Sequence, residues 1–246
     1  MTDLALQFLP LLEIHQVDQV PHDREMIHPF YEGLSLVNIP GTISQLLNAP
    51  DFGQPPLDEM IINPLQGTYQ KVVLVLGDAL GMDLFERMLE SSKDLLWGRF
   101  KERAVYSPIT SVCPSTTASA LTTLWTGVGP AVHGIIGYEM WAKEFGMVIN
   151  NIHHAAASSK GDIGGLSRSG FDPHGFLDKP LLGSHLVSHG ISATTFIHSS
   201  IAHSGLSVMQ MEDVTLQTYV DEADLWISLA AFLNNRQGIR EYVYVY

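Results

Sequence analysis

Lys71-Val-Val-Leu-Val-Leu-Gly77, running straight into Asp78-Ala-Leu-Gly81, decides the fold. Five consecutive apolar residues closed by a glycine read as a strand buried on both faces, the pattern of a parallel sheet rather than of a half-exposed hairpin. The residues that follow, Met82-Asp-Leu-Phe-Glu-Arg-Met-Leu-Glu90, have the spacing of an amphipathic helix. Strand, tight turn and helix make the first unit of a βαβ alternation. Asp78 then falls at the carboxyl end of the strand, where open α/β sheets bind their ligands.

Working outward, the alternation continues. Strands are expected over 104–109, 147–152, 191–197 and 241–246, and helices over 81–91, 117–125, 179–189 and 222–234. Strands alternating with helices predict an α/β protein with a mostly parallel, doubly wound sheet and helices on both faces. Residues 1–70 are expected to be irregular, because Pro21, Pro29, Pro40, Pro50, Pro55, Pro56 and Pro64 interrupt any long helix, although 39–47 has room for one helical turn or two. That segment should wrap the sheet. Residues 155–173 are rich in Ser and Gly, with Lys160, Arg168 and Asp172 among them, a composition that suits a mobile surface loop or a lid.

With 246 residues and 46% hydrophobic content, the chain is long enough to bury one large core. Its formal net charge of −13 argues against a nucleic-acid polymer or an anionic membrane as the main partner, since both need a basic face. A phosphate-bearing small molecule remains compatible if a metal or backbone amides attract it. The first dozen residues lack a basic start and contain Pro10, and no other window approaches the roughly twenty apolar residues of a membrane span. A cytoplasmic location is expected. The single cysteine, Cys113, excludes an internal disulfide and reads as a small buried packing residue.

Chemistry concentrates in Cys113-Pro-Ser-Thr-Thr-Ala-Ser-Ala-Leu-Thr-Thr-Leu-Trp-Thr-Gly127 and the following His133-Gly-Ile-Ile-Gly-Tyr138. Adjacent hydroxyls stand where a loop becomes a helix, and a helix start offers unpaired N–H groups and a positive dipole end to an anion. Each residue also has a plainer reading. Asp78 suits the N-cap of the helix beginning near Gly81, and Ser115, Thr116 and Thr117 all suit the cap of the next one. His185 and His189 are i, i+4 on a helix but lack the carboxylate of a metalloprotease pattern. His133 reads as structural. Asp51-Phe-Gly53 lacks the companions of the kinase tripeptide it looks like, and Gly165-Leu-Ser167-Arg-Ser169 lacks the closing glycine of a nucleophile elbow.

Taken together, Pro114-Ser-Thr-Thr117, Thr126-Gly127, His133-Gly-Ile and the strand ending in Asp78 resemble the nucleophile region of type I phosphodiesterases and nucleotide pyrophosphatases, in the alkaline phosphatase superfamily. The likeness extends to uncharacterised bacterial members, through Tyr31-Glu-Gly-Leu-Ser-Leu-Val-Asn-Ile-Pro40 as well. In that family a threonine at the helix start stands nine positions before the Thr-Gly pair, which falls on Thr117. The resemblance implies a three-layer α/β/α fold over 1–246, a phospho-threonine intermediate on Thr117, and two divalent cations, zinc first, with Asp78 and Thr117 among their ligands. Its substrate would be a phosphate ester, phosphodiester or pyrophosphate. A hydroxyl alone attacks phosphorus poorly at neutral pH, and in the family a cation supplies the missing activation.

Two positions depart from the pattern. Tyr138 stands where nucleotide pyrophosphatases carry an asparagine that contacts the phosphoryl group, and Ala79 replaces the glycine that commonly follows the aspartate. The run Tyr242-Val-Tyr-Val-Tyr246 resembles the strand that leads, in the family, to an Asp-Xaa-Xaa-Xaa-His ligand pair, with an Asp-His pair and a further histidine later. No such segments are identifiable here. The chain is therefore expected to be the N-terminal part of a longer protein, binding metal weakly and hydrolysing little when alone, unless His198 or His203 complete the site. The competing expectation is a non-catalytic α/β domain that binds a small anion or acts as a scaffold, with Asp78 and Thr117 merely capping helices.

Overall fold

The computed structural model describes residues 2–18, 20, 26–91, 103–159 and 162–246. From the N-terminus the elements are β1 (Thr2–Asp3), α1 (Ala5–Ile14), α2 (Ile39–Leu46), α3 (Glu59–Ile62), β2 (Lys71–Val75), α4 (Met82–Ser91) and β3 (Val105–Tyr106). There follow α5 (Thr117–Thr126), α6 (Pro130–His133), β4 (Glu139–Ala142), β5 (Met147–Asn150), β6 (Ala155–Ala156), α7 (Gly165–Arg168) and α8 (Pro173–Phe176). The last are α9 (Leu182–Ser188), β7 (Ser192–His198), α10 (Gly205–Gln210), β8 (Thr215–Tyr219), α11 (Glu222–Asn235) and β9 (Glu241–Val245).

The main sheet is parallel throughout, in the order β2-β9-β7-β8. Strand β9 runs between β2 and β7, pairing Val73 with Val243 on one side and Thr194 with Val243 on the other, and all five of its residues are buried. The two-residue period of the strand decides what it buries. Tyr242 and Tyr244 pack edge-on against Trp125 of α5, within a cluster that also holds Leu182 and Leu186 of α9. Val243 and Val245 point the other way, to Leu225 and Leu229 of α11. Helices on both faces of a parallel sheet give the expected mixed α/β, three-layer arrangement.

Several local expectations need correcting. The first seventy residues are not merely irregular: α1 buries Ala5, Phe8 and Leu12 along one side, and Pro10 is tolerated because its missing N–H lies on the exposed side. Helix α2 runs two turns, with Pro40 and Gly41 at its start. Pro21 and His22 lie outside the described residues. The strand expected over 104–109 shrinks to β3, which pairs with β1 and not with the main sheet; Pro108, lacking an N–H, ends any ladder there. Strand β5 belongs to a separate antiparallel sheet, β4-β5-β6. In 155–173 the chain forms β6, α7 and the turn into α8, with Leu166 and Phe171 buried beside Ile149, so its described part is packed rather than a loose lid; Lys160 lies outside the described residues. Strand β8 and helix α10 went unread in the sequence. Among the described residues no helix is long and apolar enough to cross a membrane.

Candidate active site

Asp78 lies three residues beyond β2, in the turn before α4, and that turn passes through Ala79 at φ +58°. Among the described residues its carboxylate forms no hydrogen bond to α4. Instead Oδ2 accepts from Thr117 Oγ1 at 3.3 Å and from the Tyr246 hydroxyl at 2.9 Å. The helix-cap reading of Asp78 is thereby set aside: its partners come from other elements.

The cap of α5 falls to Thr116. Its backbone is extended (φ −78°, ψ 152°), and its Oγ1 accepts from Ser119 N, the geometry of an N-cap. Thr117 is therefore the first helical residue, and its hydroxyl is released to face Asp78. The N–H groups of Thr117 and Ala118, which no helix can pair internally, have no hydrogen-bond partner among the described residues. A hydroxyl, two N–H donors and the positive end of a ten-residue helix thus converge on one spot.

What fixes α5 in place explains why its sequence is so rich in hydroxyls. Thr122 Oγ1 and Thr126 Oγ1 donate to the carbonyls of Ala118 and Thr122, both at 2.7 Å, so the buried hydroxyls are satisfied within the helix. Gln210 of α10 adds a bond to Thr122 Oγ1. Thr123 meets His133 Nε2 at 3.1 Å, while His133 Nδ1 accepts from Ile135 N at 3.0 Å; the ring must be neutral to do so, and burial lowers its pKa to about 4. His133 is structural, as expected. The helix ends at Gly127, φ +67°, against Gly53, where a Cβ on Gly53 would stand 2.5 Å from the Gly127 Cα. Asp51-Phe-Gly53 is thus the seat of the helix end.

Above Thr117 opens a cleft of about 1060 Å³ lined by Asp78, Thr117, Ser107, Thr110, Ser111 and Tyr138, with apolar walls that include Leu80, Ile109, Leu121 and Leu124. Tyr138 projects into it, 46% exposed, on a backbone clamped by the buried Asn151, whose Nδ2 donates to Gly137 O and whose N donates to Tyr138 O. Cys113, expected to be buried, is exposed; its N–H meets the Tyr31 hydroxyl, and the loop around it turns outward toward solvent.

The remaining histidines are not gathered here. His185 Nε2 is engaged by Pro50 O with its ring tilted against Phe52, and His189 Nδ1 turns back to His185 O, so each ring of the i, i+4 pair spends one nitrogen on a backbone carbonyl. His198 bonds Ser200 Oγ and Val220 O through its two nitrogens. Among the described residues no group of three or more His, Cys, Asp or Glu side chains could hold a metal ion. Asp78 and Thr117 offer two oxygen donors where a zinc ion takes about four. Among the described residues these two donors alone do not complete a zinc site.

Sequence reading missed Tyr246. The signal was the parity of Tyr242-Val-Tyr-Val-Tyr246: the first two tyrosines enter the core, and the third emerges on the same side of the strand at the sheet's carboxyl edge, beside Asp78.

A parallel α/β layer with a hydroxyl and a carboxylate in contact at its carboxyl edge is the class that fold and site define. Within that class, the model of the family described as type I phosphodiesterase / nucleotide pyrophosphatase matches residues 72–231, and the chain belongs to this family and so to the alkaline phosphatase superfamily. The family is one of hydrolases that act on small phosphoester substrates with divalent metals. No curated protein and no solved structure matches the chain.

Proposed function

We propose that the protein hydrolyses a phosphate ester, phosphodiester or pyrophosphate through a phosphorylated Thr117. The observation that carries this reading is the release of Thr117 from helix capping: Thr116 caps α5, and the Thr117 hydroxyl faces Asp78 at the mouth of the cleft. In the first step Thr117 Oγ1 forms its bond to phosphorus and gives up its proton, while the bond from phosphorus to the ester's leaving oxygen breaks and that oxygen takes the proton and departs as the alcohol. The N–H groups of Thr117 and Ala118 take a phosphoryl oxygen, stabilising charge that grows as the bond forms. Asp78 holds the hydroxyl in line. Water then cleaves the Thr117–phosphate bond and restores the hydroxyl.

Two divalent cations, zinc the first candidate, belong to the same proposal: Asp78 and Thr117 would supply two of the ligands, and the ions would make the hydroxyl an effective nucleophile and neutralise charge on the phosphoryl group. The experiment is trapping. The protein as its gene encodes it, quenched in acid after mixing with an aryl phosphodiester, should carry on the peptide that contains Thr117 one phosphoryl group that retains the diester's second substituent, and Asp78→Ala should lose stoichiometric metal. A protein that turns over the diester while no phosphopeptide forms would overturn the covalent step. Absence of both metal and turnover would favour the scaffold reading.

A further inference from the structure

Asp78 sits in an exposed turn, and a carboxylate there needs something to stop it rotating. Of its two partners, Thr117 at 3.3 Å lies beyond the usual span for hydroxyl bonds to oxygen, and Tyr246 at 2.9 Å lies within it. The firm bond is therefore the one from Tyr246. That tyrosine is itself held from two neighbouring strands: its N–H donates to Phe196 O of β7 at 3.0 Å, and its carbonyl accepts from the Tyr219 hydroxyl of β8 at 2.9 Å. Its ring stacks on Tyr244, with centroids 6.2 Å apart and planes at 27°. A chain of contacts thus crosses the carboxyl edge of the sheet from β8 through Tyr246 to Asp78, and from there to the start of α5. Tyr246 is absent from the walls of the cleft, so any effect on a substrate must pass through Asp78.

We propose that Tyr246 is a positioning residue: its hydroxyl fixes the Asp78 carboxylate in the orientation that presents Thr117 to the substrate. This inference rests on the reading of Thr117 as nucleophile, and its test separates the two. Tyr246→Phe removes one oxygen and keeps the ring stack. In the protein as its gene encodes it, kcat for an aryl phosphodiester should fall about tenfold, the scale of one lost bond to a charged group. KM should stay within about twofold, because binding groups in the cleft are untouched. The crystal structure of Tyr246→Phe should show the Asp78 carboxylate turned away from Thr117. Unchanged kcat, or a loss carried by KM, overturns the proposal. So does a carboxylate that keeps its place beside Thr117, whatever the activity. If Thr117→Ala retains turnover, the nucleophile reading fails by itself, and the crystallographic arm still decides whether Tyr246 holds Asp78.

Discussion

Thr117 Oγ1 lies 3.3 Å from Asp78 Oδ2 across 39 residues of sequence, and the contact exists because the neighbouring Thr116, not Thr117, caps the helix. Two adjacent threonines therefore have separable roles. Thr117→Ala should lower turnover of an aryl phosphodiester by several powers of ten, as loss of a covalent nucleophile does. Thr116→Ala should instead lower stability by about 1 kcal/mol, the usual worth of an N-cap, with a far smaller effect on turnover. Steady-state kinetics and denaturant melts on both variants check the pair. The reverse pattern would transfer the nucleophile to Thr116.

Ala79 holds the turn after Asp78 at φ +58°, a region that costs a residue bearing a Cβ about 1 kcal/mol or more and costs glycine little. Glycine is the residue that the family pattern places there. Ala79→Gly should raise stability, by about 0.5–1 kcal/mol once the greater freedom of glycine in the unfolded chain is set against the relieved strain. A chemical melt in urea checks it. A loss of stability would mean that the methyl group packs usefully in the turn.

The parts of this fold that a local pattern specifies were legible in the sequence. The apolar run 72–76, the amphipathic helix after it, and the strand at 191, the helix at 222 and the strand at 241 all have a period that the chain itself fixes and appear within a few residues of expectation. But β2, expected to be buried on both faces, is the edge strand of the described sheet and leaves Val73 and Val75 exposed. What stayed hidden depends on partners distant in sequence. Nothing local says that 104–109 pairs with Thr2–Asp3, that a Ser/Gly-rich stretch will bury Leu166 and Phe171, or that Thr218-Tyr219 ends an edge strand. The site divides in the same way. The motif spacing singled out Asp78 and Thr117, while the choice between Thr116 and Thr117 as cap needed the backbone, and Tyr246 needed the strand order that sets β9 beside β2.

His133 and His154 are both buried, and burial lowers each pKa from 6.5 to about 4. His154 packs edge-on against Phe171, and neither of its ring nitrogens has a hydrogen-bond partner among the described residues. The sign follows from linkage: a pKa lower in the folded state means that the unfolded chain binds more protons between about 4 and 6.5. The stabilisation is complete above pH 6.5 and is lost as pH falls through that window, on the order of 3 kcal/mol for each residue. Urea melts from pH 7 to pH 4 should show stability falling. His154→Asn, which tolerates the local φ of +47°, should flatten the dependence even if it starts less stable at pH 7. An unchanged slope in that variant would remove His154 as a source.

At the opposite edge of the sheet from the site, Glu241 is fully buried at the start of β9. Arg236 Nε donates to its Oε2 at 2.7 Å and Thr194 Oγ1 to its Oε1 at 2.9 Å, while Lys71 Nζ holds the Arg236 carbonyl at 2.7 Å. The pair ties the end of α11 to three strands of the sheet. Removing only the cation strands a carboxylate in the core, and breaking a buried pair in this way costs about 3–5 kcal/mol; the partial exposure of Arg236 lowers the expectation to about 2–3 kcal/mol. Arg236→Met keeps most of the side-chain volume and should lose that amount in a urea melt. Arg236→Met with Glu241→Leu, which removes both charges, should recover most of it, because the penalty lies in the unpaired carboxylate. Both variants should leave KM for a phosphodiester unchanged, since the ion pair lies at the amino end of the strands and the cleft at their carboxyl end. If the double variant is less stable than the single one, the ion pair is a net stabiliser of the sheet and not merely a satisfied burial.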